Sequence, residues 1–307
     1  MDYPKNQSEF DRLFSTDKEC ISFLHKLKYP EGYKCASCYC IEYWINSRNV
    51  FVCKFCRKES SITSGTLFHK SHLPLTVIFR AMWWIIAQKN GVSAEGLQRI
   101  LGIGSYETAW TWLHRFRRVM ILSDREKLSG MIEIDETLVG GKKSGKRGRG
   151  AEGKVLVAIA IEIKEFGVGR VRLSLIDDAS RKSLNSFVKK QILEKSIITT
   201  DGWKGYVDLK KMGYEHKITN KTVLADGEEI LPHLHRVASL LKRWLLGTHQ
   251  SYMNTVHLQY YLDEFVFRHN RRKSKSRGLL FFTLIKQAML SDPVTYNQIS
   301  KSFKNQQ

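Results

Sequence analysis

Apolar and polar positions divide the chain into stretches of different period. Phe10, Leu13, Phe14, Ile21, Phe23 and Leu24 give residues 1–30 the spacing of a short helical lead-in. Tyr43-Trp44-Ile45 and Val50-Phe51-Val52 are short β-rich runs that read as the strands of a hairpin. A Ser/Thr/Gly-rich connector over 57–74 contains Gly65 and Pro74. Leu75, Ile78, Phe79, Met82, Ile85 and Ile86 then recur at helical spacing. A second helical segment starts on Ser93, carries Leu97, Ile100 and Leu101, and is broken by Gly102-Ile103-Gly104. A third, from Ser105, carries Ala109, Trp112, Leu113, Phe116 and Val119, with His114, Arg115, Arg117 and Arg118 on its other face.

Beyond a polar hinge at 123–130 the period changes to that of strands. Met131, Ile132, Ile134 and Leu138 give the Met-Ile-Glu-Ile-Asp-Glu-Thr stretch the weight of a buried strand. Residues 154–163 and 170–176 read as two further strands, joined at a turn near Phe166-Gly167. A helix over 180–193 follows, then the β-branched run Ser196 to Asp201, then a helix or turn through Tyr206. Three strands, helix, strand, helix is an α/β order. Helices are predicted over 233–246, with core positions Leu234, Val237, Ala238, Leu241 and Leu245, and over 256–272. The polar residues after Pro293 read as a frayed tail.

Composition narrows the partners. Of 307 residues, 50 are Lys or Arg and 30 Asp or Glu, a net charge of +20 that favours a polyanion. A hydrophobic content of 42% supports a real core. No apolar run approaches the roughly 20 residues of a membrane span, and the first residues carry no apolar signal region. The expectation is a cytoplasmic protein acting on nucleic acid. The helix, glycine turn and basic helix of 66–122 resemble a helix-turn-helix, with Arg115, Arg117 and Arg118 as candidate DNA contacts. A plain three-helix connector with a solvated basic face is the ordinary alternative. The basic loop 141–153, with Lys146, Arg147 and Arg149, lacks the spacing of a nucleotide-binding loop and suits a phosphate backbone better.

Two sets of residues carry chemistry. All six cysteines lie in the first 56 residues. Cys35-x-x-Cys38 and Cys53-x-x-Cys56 are paired knuckles of a tetrahedral zinc ribbon, a site whose four thiolates leave no open position. Cys20 and Cys40 are surplus, each read as an ordinary thiol. The second set is acidic. Asp135 and Asp201 each end a buried strand, which suits a hard divalent cation held from separate elements. Asp201 could instead cap a following helix. Glu136 faces away from Asp135, because successive strand residues alternate sides.

The order of elements resembles the ribonuclease-H-like fold of DDE transposases and integrases. Ile-Asp-Glu-Thr with Gly-Gly, Thr-Asp-Gly-Trp with Gly-Tyr, Leu-Leu-Lys-Arg-Trp-Leu-Leu-Gly-Thr-His and Tyr-Leu-Asp-Glu-Phe-Val-Phe-Arg-His-Asn-Arg-Arg look like the ISXO-like insertion-sequence transposases. The resemblance implies a zinc ribbon over 1–60, a helix-turn-helix-like segment over 66–122, a catalytic domain over 130–275 and a tail over 276–307. It implies catalytic Asp135 and Asp201, with His235 in the place of the usual third acid and Lys242 seven residues on. Glu264 on the next helix is the runner-up. Arg271 and Arg272 join the candidate DNA contacts. The implied activity is metal-dependent DNA cleavage and strand transfer, with structural Zn²⁺ and catalytic Mg²⁺ or Mn²⁺. Its implied partners are the element's terminal inverted repeats, target DNA and further copies of the chain. The alternatives are a zinc-ribbon regulator without catalysis and a nuclease on the same fold.

Overall fold

A computed structural model describes residues 3–122, 124–140, 154–219, 229–249 and 255–300. The chain divides into two compact units, 1–120 with 274–301 and 121–273 with 302–307. In the first, the lead-in is two helices, α1 (Gln7–Leu13) and α2 (Asp17–Lys28). Asn6 caps α1, while Thr16 and Glu19 form a reciprocal capping box that starts α2. These polar caps divide the apolar period between two helices.

Three short strands follow, β1 (Tyr43–Ile45), β2 (Phe51–Cys53) and β3 (Glu59–Ser60), paired antiparallel in that order. The expected hairpin thus gains a third strand. Its packing is aromatic: His25 of α2 stacks on Phe51 with ring centres 5.0 Å apart, and Tyr33 and Tyr43 also meet Phe51.

Next come α3 (Leu75–Ala87), α4 (Ala94–Leu101) and α5 (Tyr106–Val119). Ser93 caps α4, Gly102 ends it in the left-handed region at φ 63°, and Ser105 caps α5. The helix, turn and helix lie where the sequence puts them.

The second unit is an α/β layer structure built on one mixed sheet. Its elements are β4 (Met131–Gly140), β5 (Lys154–Lys164), β6 (Gly167–Ile176), α6 (Arg181–Gln191), β7 (Ile197–Thr200), β8 (Glu215–Ile218), α7 (Pro232–His249) and α8 (Leu258–Asn270). The strand order is β6-β5-β4-β7-β8. β5 runs antiparallel to β4 and β6, whereas β7 is parallel to β4 and β8 parallel to β7. This is the ribonuclease-H-like arrangement. The sequence reading missed β8, whose four residues alternate too briefly to show a period.

Alternation along the strands sorts side chains to two cores. Ile132, Ile134, Ala158 and Ala160 pack with Leu184, Phe187 and Val188 of α6. Val139, Val157, Ile159, Val171 and Leu173 pack with Leu234, Val237, Leu241 and Leu245 of α7 and with α8. The core stripe predicted for α7 is therefore the one observed. Met131, counted with the buried strand, is exposed at its first position.

The chain then returns to the first unit. Residues 276–307, expected as a tail, contain α9 (Arg277–Leu290) and α10 (Tyr296–Ser300). Phe281 of α9 is fully buried and meets Phe10, Phe14, Phe79 and Trp83. A Cβ at Gly278 would lie 1.6 Å from the Pro4 carbonyl oxygen, so only glycine lets the first turn of α9 pass the N-terminal segment. No helix among the described residues is long and apolar enough to cross a membrane.

Candidate active site

The two cysteine knuckles of the first unit converge. Cys35, Cys38, Cys53 and Cys56 place their sulfurs within 4.8 Å of one another. Cys35 and Cys56 lie 3.6 Å apart, and Cys38 and Cys53 3.5 Å. Four thiolates at zinc–sulfur distance stand about 3.8 Å apart in a tetrahedron, so the set fits zinc. The backbone favours thiolate as well. N–H groups of Ser37 and Cys38 hold the Cys35 thiol down at about 6. The Cys56 N–H holds Cys53 down despite burial. The Cys40 N–H acts likewise on Cys38, but burial and three neighbouring sulfurs push that thiol up to about 12. Four thiols sharing one volume do not ionise alike until a cation joins them. Cys40 turns its sulfur to the Glu42 carbonyl, and Cys20 is buried and pushed up to about 12, chiefly by burial.

In the second unit the acids come from adjacent strands, but only Asp201 follows a strand end; Asp135, expected to end its strand, is the fifth of the ten residues of β4, because pairing with β5 carries that strand on to Gly140. β4 and β7 pair as Met131↔Ile197 and Glu133↔Thr199. The same register carried two residues further sets Asp135 beside Asp201, across strands about 4.8 Å apart. Burial pushes the Asp135 carboxyl up, and the charge of Asp201 adds to this, against the Glu136 N–H and His235. Asp135 Oδ1 accepts from the Glu136 N–H at 2.7 Å, and Asp201 Oδ1 accepts from the Trp203 N–H at 2.9 Å. Asp201 thus caps its own turn, and that turn continues as one 3₁₀ turn, Lys204–Tyr206. The second oxygen of each carboxylate is left to point elsewhere.

Glu136 lies on the other side of β4, as alternation requires. Its carboxylate accepts from the hydroxyl of buried Tyr206, within the α6 core.

His235 arrives from α7. Its Nε2 lies 3.6 Å from Asp135 Oδ2, with the imidazole 52% and the carboxylate 21% exposed. Lys242 is exposed two turns further on, on the same face. Glu264 is fully buried, with Oε1 receiving the Arg268 Nε–H at 2.8 Å. Among the described residues, the cysteines form the one group of three or more such donors drawn within 4.8 Å; Asp135, Asp201 and His235 are spread wider. The oxygen and nitrogen donors of these three nonetheless suit Mg²⁺ or Mn²⁺.

Residues 127–270 match the ISXO2-like transposase domain. The segment is thus similar to the transposase domains of that family. Solved structures with detectable likeness include a pre-cleavage Mos1 transpososome, 10% identical, covering 71% of this chain and 79% of that one at a TM-score of 0.28. The Mos1 strand transfer complex is 12% identical, covering 68% and 78%, at a TM-score of 0.27. No curated protein matches the chain.

The sequence reading missed one residue of the second unit that bears on the site. Glu133 sits two residues before Asp135, on the same side of β4, and is buried. Its Oε2 accepts the Leu234 N–H at 2.9 Å. That N–H is one of the unpaired donors in the first turn of α7, where a carboxylate is favoured. Burial pushes the Glu133 carboxyl up, and the Leu234 N–H, His233 and His235 draw it back. Glu133 thereby fixes the start of α7, and with it His235, against β4. The signal was present in the alternation of Glu133 and Asp135. Glu133→Ala should cost about 1–3 kcal/mol by leaving that donor unpaired, and Glu133→Gln, which keeps an acceptor, should cost less. Urea unfolding checks this; an alanine variant as stable as wild type would show that α7 starts without Glu133.

The candidate DNA contacts fare unequally. Arg117 is 2% exposed and His114 fully buried, so neither lies on a basic surface of α5. The reason is that α3, α4, α9 and α10 all touch α5. Arg118 is exposed, and Arg115 is half-buried with its guanidinium 4.7 Å from the centre of the Trp112 ring. In the second unit Arg271 stacks on Phe267 at 4.1 Å, and Arg272 donates to the carbonyls of Gly169 and His269. Lys146, Arg147 and Arg149 lie outside the described residues.

Proposed function

We propose that this chain cuts DNA at the ends of an insertion sequence and joins those ends to target DNA by in-line phosphoryl transfer. The observation that supports this most is the juxtaposition of two carboxylates from adjacent strands and an imidazole inside a segment that matches a transposase domain. A divalent cation held there would activate the attacking oxygen and neutralise the leaving one. Asp135 and Asp201 would each offer Oδ2, since their Oδ1 atoms already accept backbone N–H groups. His235 would offer Nε2. Lys242, on the same face of α7, would meet a non-bridging oxygen or the adjoining backbone. No covalent enzyme intermediate is needed.

Zinc in the ribbon would be structural, because the four sulfurs complete its shell. Arg115 and Arg118 in the first unit, and Arg271 and Arg272 in the second, would contact backbone phosphates. Two element ends must be joined, so the working form would be an assembly of copies on DNA. A strand-transfer assay with the repeats flanking the native locus tests the reading. A regulator would bind them and cut nothing, and a nuclease would cut without joining.

The third donor has its own test. Imidazole is a poorer partner for Mg²⁺ than for Mn²⁺, so activity should be higher in Mn²⁺ at equal concentration. His235→Glu should move the preference toward Mg²⁺. Per folded molecule in Mn²⁺, His235→Ala should lose more than about 10-fold, the range that even outer-shell partners command, while Glu264→Gln loses much less. Normalising for folding matters, because Glu264→Gln breaks a buried ion pair. A dead Glu264→Gln beside an active His235→Ala would move the third donor to α8.

A further inference from the structure

Asp201 lies one residue past β7, where the ladder stops. Pairing with β4 runs to Thr199 and pairing with β8 to Thr200. The placing of this carboxylate therefore falls to the turn that carries it. Two nested hydrogen bonds build that turn. Thr200 Oγ1 accepts the Gly202 N–H at 3.2 Å, spanning Asp201, and Asp201 Oδ1 accepts the Trp203 N–H at 2.9 Å. Gly202 sits at φ +87°, and a Cβ there would come within 2.8 Å of Ile218 Cγ2 on β8.

The first of these bonds depends on where the Thr200 hydroxyl is held. Thr200 is fully buried, and its hydroxyl lies 2.8 Å from His216 Nε2. His216 pairs with Ile198 in the parallel ladder of β7 and β8, so the sheet carries its imidazole and the turn does not. Three residues on, the Thr219 N–H donates to the Thr200 carbonyl at 2.9 Å. The chain of β8 thus grips Thr200 by its hydroxyl and by its carbonyl. A buried hydroxyl beside an imidazole is ordinarily no more than a satisfied core pair. Here the hydroxyl is also the acceptor of the turn that holds an acid of the site.

We infer that His216 is a positioning residue: through the Thr200 hydroxyl it fixes the turn that aims the Asp201 carboxylate at the divalent cation. This rests on the reading of Asp201 as a ligand of that cation. Outer partners orient a ligating group, and losing one costs about 10- to 100-fold in metal affinity.

The test titrates the full-length protein with Mn²⁺ without DNA, reads binding by electron paramagnetic resonance, and measures amide exchange at Gly202. His216→Phe keeps a ring and removes the hydrogen bond. His216→Gln loses the ring and keeps a polar group at the reach of Nε2. A packing role favours the phenylalanine variant, and a positioning role the glutamine variant. His216→Phe and Thr200→Val should each weaken Mn²⁺ binding about 10-fold and speed exchange at Gly202. His216→Gln should recover most of both. The two substitutions together should be no worse than either alone, because both remove one interaction.

Wild-type Mn²⁺ affinity in His216→Phe would overturn the role, and so would a His216→Gln variant no better than His216→Phe. If His216→Phe does not fold, Thr200→Val carries the test with one hydroxyl exchanged for a methyl, and wild-type affinity there overturns it. Equal Mn²⁺ binding by wild type and Asp201→Asn would count against the metal reading instead. Exchange at Gly202 would then decide whether His216 holds the turn, with an unchanged rate in the variants refuting it.

Discussion

Asp135→Asn and Asp201→Asn should each lower DNA cleavage by at least about 10³-fold and leave binding of the element ends intact. The two effects separate because the carboxylates and the basic surface do different work. Asp135 within β4 and Asp201 just past β7 come from adjacent parallel strands, with one oxygen of each already held by a backbone N–H. An amide in place of either carboxylate keeps a similar shape and removes the charge a divalent cation needs. Loss of such a cation forfeits several kcal/mol of transition-state stabilisation, and about 4 kcal/mol is already ~10³-fold. End binding would depend instead on cationic contacts to phosphate, whose affinity follows salt. Removing a negative charge near a phosphate does not weaken that attraction. The measurement pairs cleavage of a labelled duplex with a salt titration of binding. Wild-type cleavage by either variant in saturating metal would remove that residue from the site.

Cys53→Ser should strip the chain of zinc and unfold the ribbon, while the second unit stays folded. The three ribbon strands contain three, three and two residues, too few to close a core. Their apolar packing is the aromatic group around Phe51, next to Cys53 in β2 by two positions. In such modules the metal supplies the folding energy, about 10–16 kcal/mol for structural zinc. Serine cannot replace a thiolate, and the remaining three sulfurs leave the shell open. Metal analysis should find one zinc per wild-type chain and none in the variant, and amide exchange should rise over 33–60. Cys40→Ser should change neither, because its sulfur lies outside the cluster and meets the Glu42 carbonyl. Full zinc retention in Cys53→Ser would refute the four-cysteine site.

Local chemistry was legible without coordinates. Ser93, Gly102 and Ser105 delimit α4 and α5 through caps and a left-handed turn, each acting within one helical turn. The knuckles were legible because a Cys-x-x-Cys loop positions both sulfurs from within four residues. The stripe of α7 and the opposite facing of Asp135 and Glu136 follow from periods that the backbone imposes on any sequence.

What only the tertiary structure decided is which elements came to lie beside which. Arg117 belongs to a run that looks like a basic face, yet it is buried, because α9 and α10 arrive from the far end of the chain to touch α5. Glu133 is one acid among several in β4 until the N-terminus of α7 is placed on it. Asp135 and Asp201 become neighbours through the parallel register of β4 and β7, which no residue in either strand announces. Pairing across the sequence is selected by the burial of whole faces, a sum over many side chains, whereas caps, turns and knuckles are settled by a few atoms close along the chain.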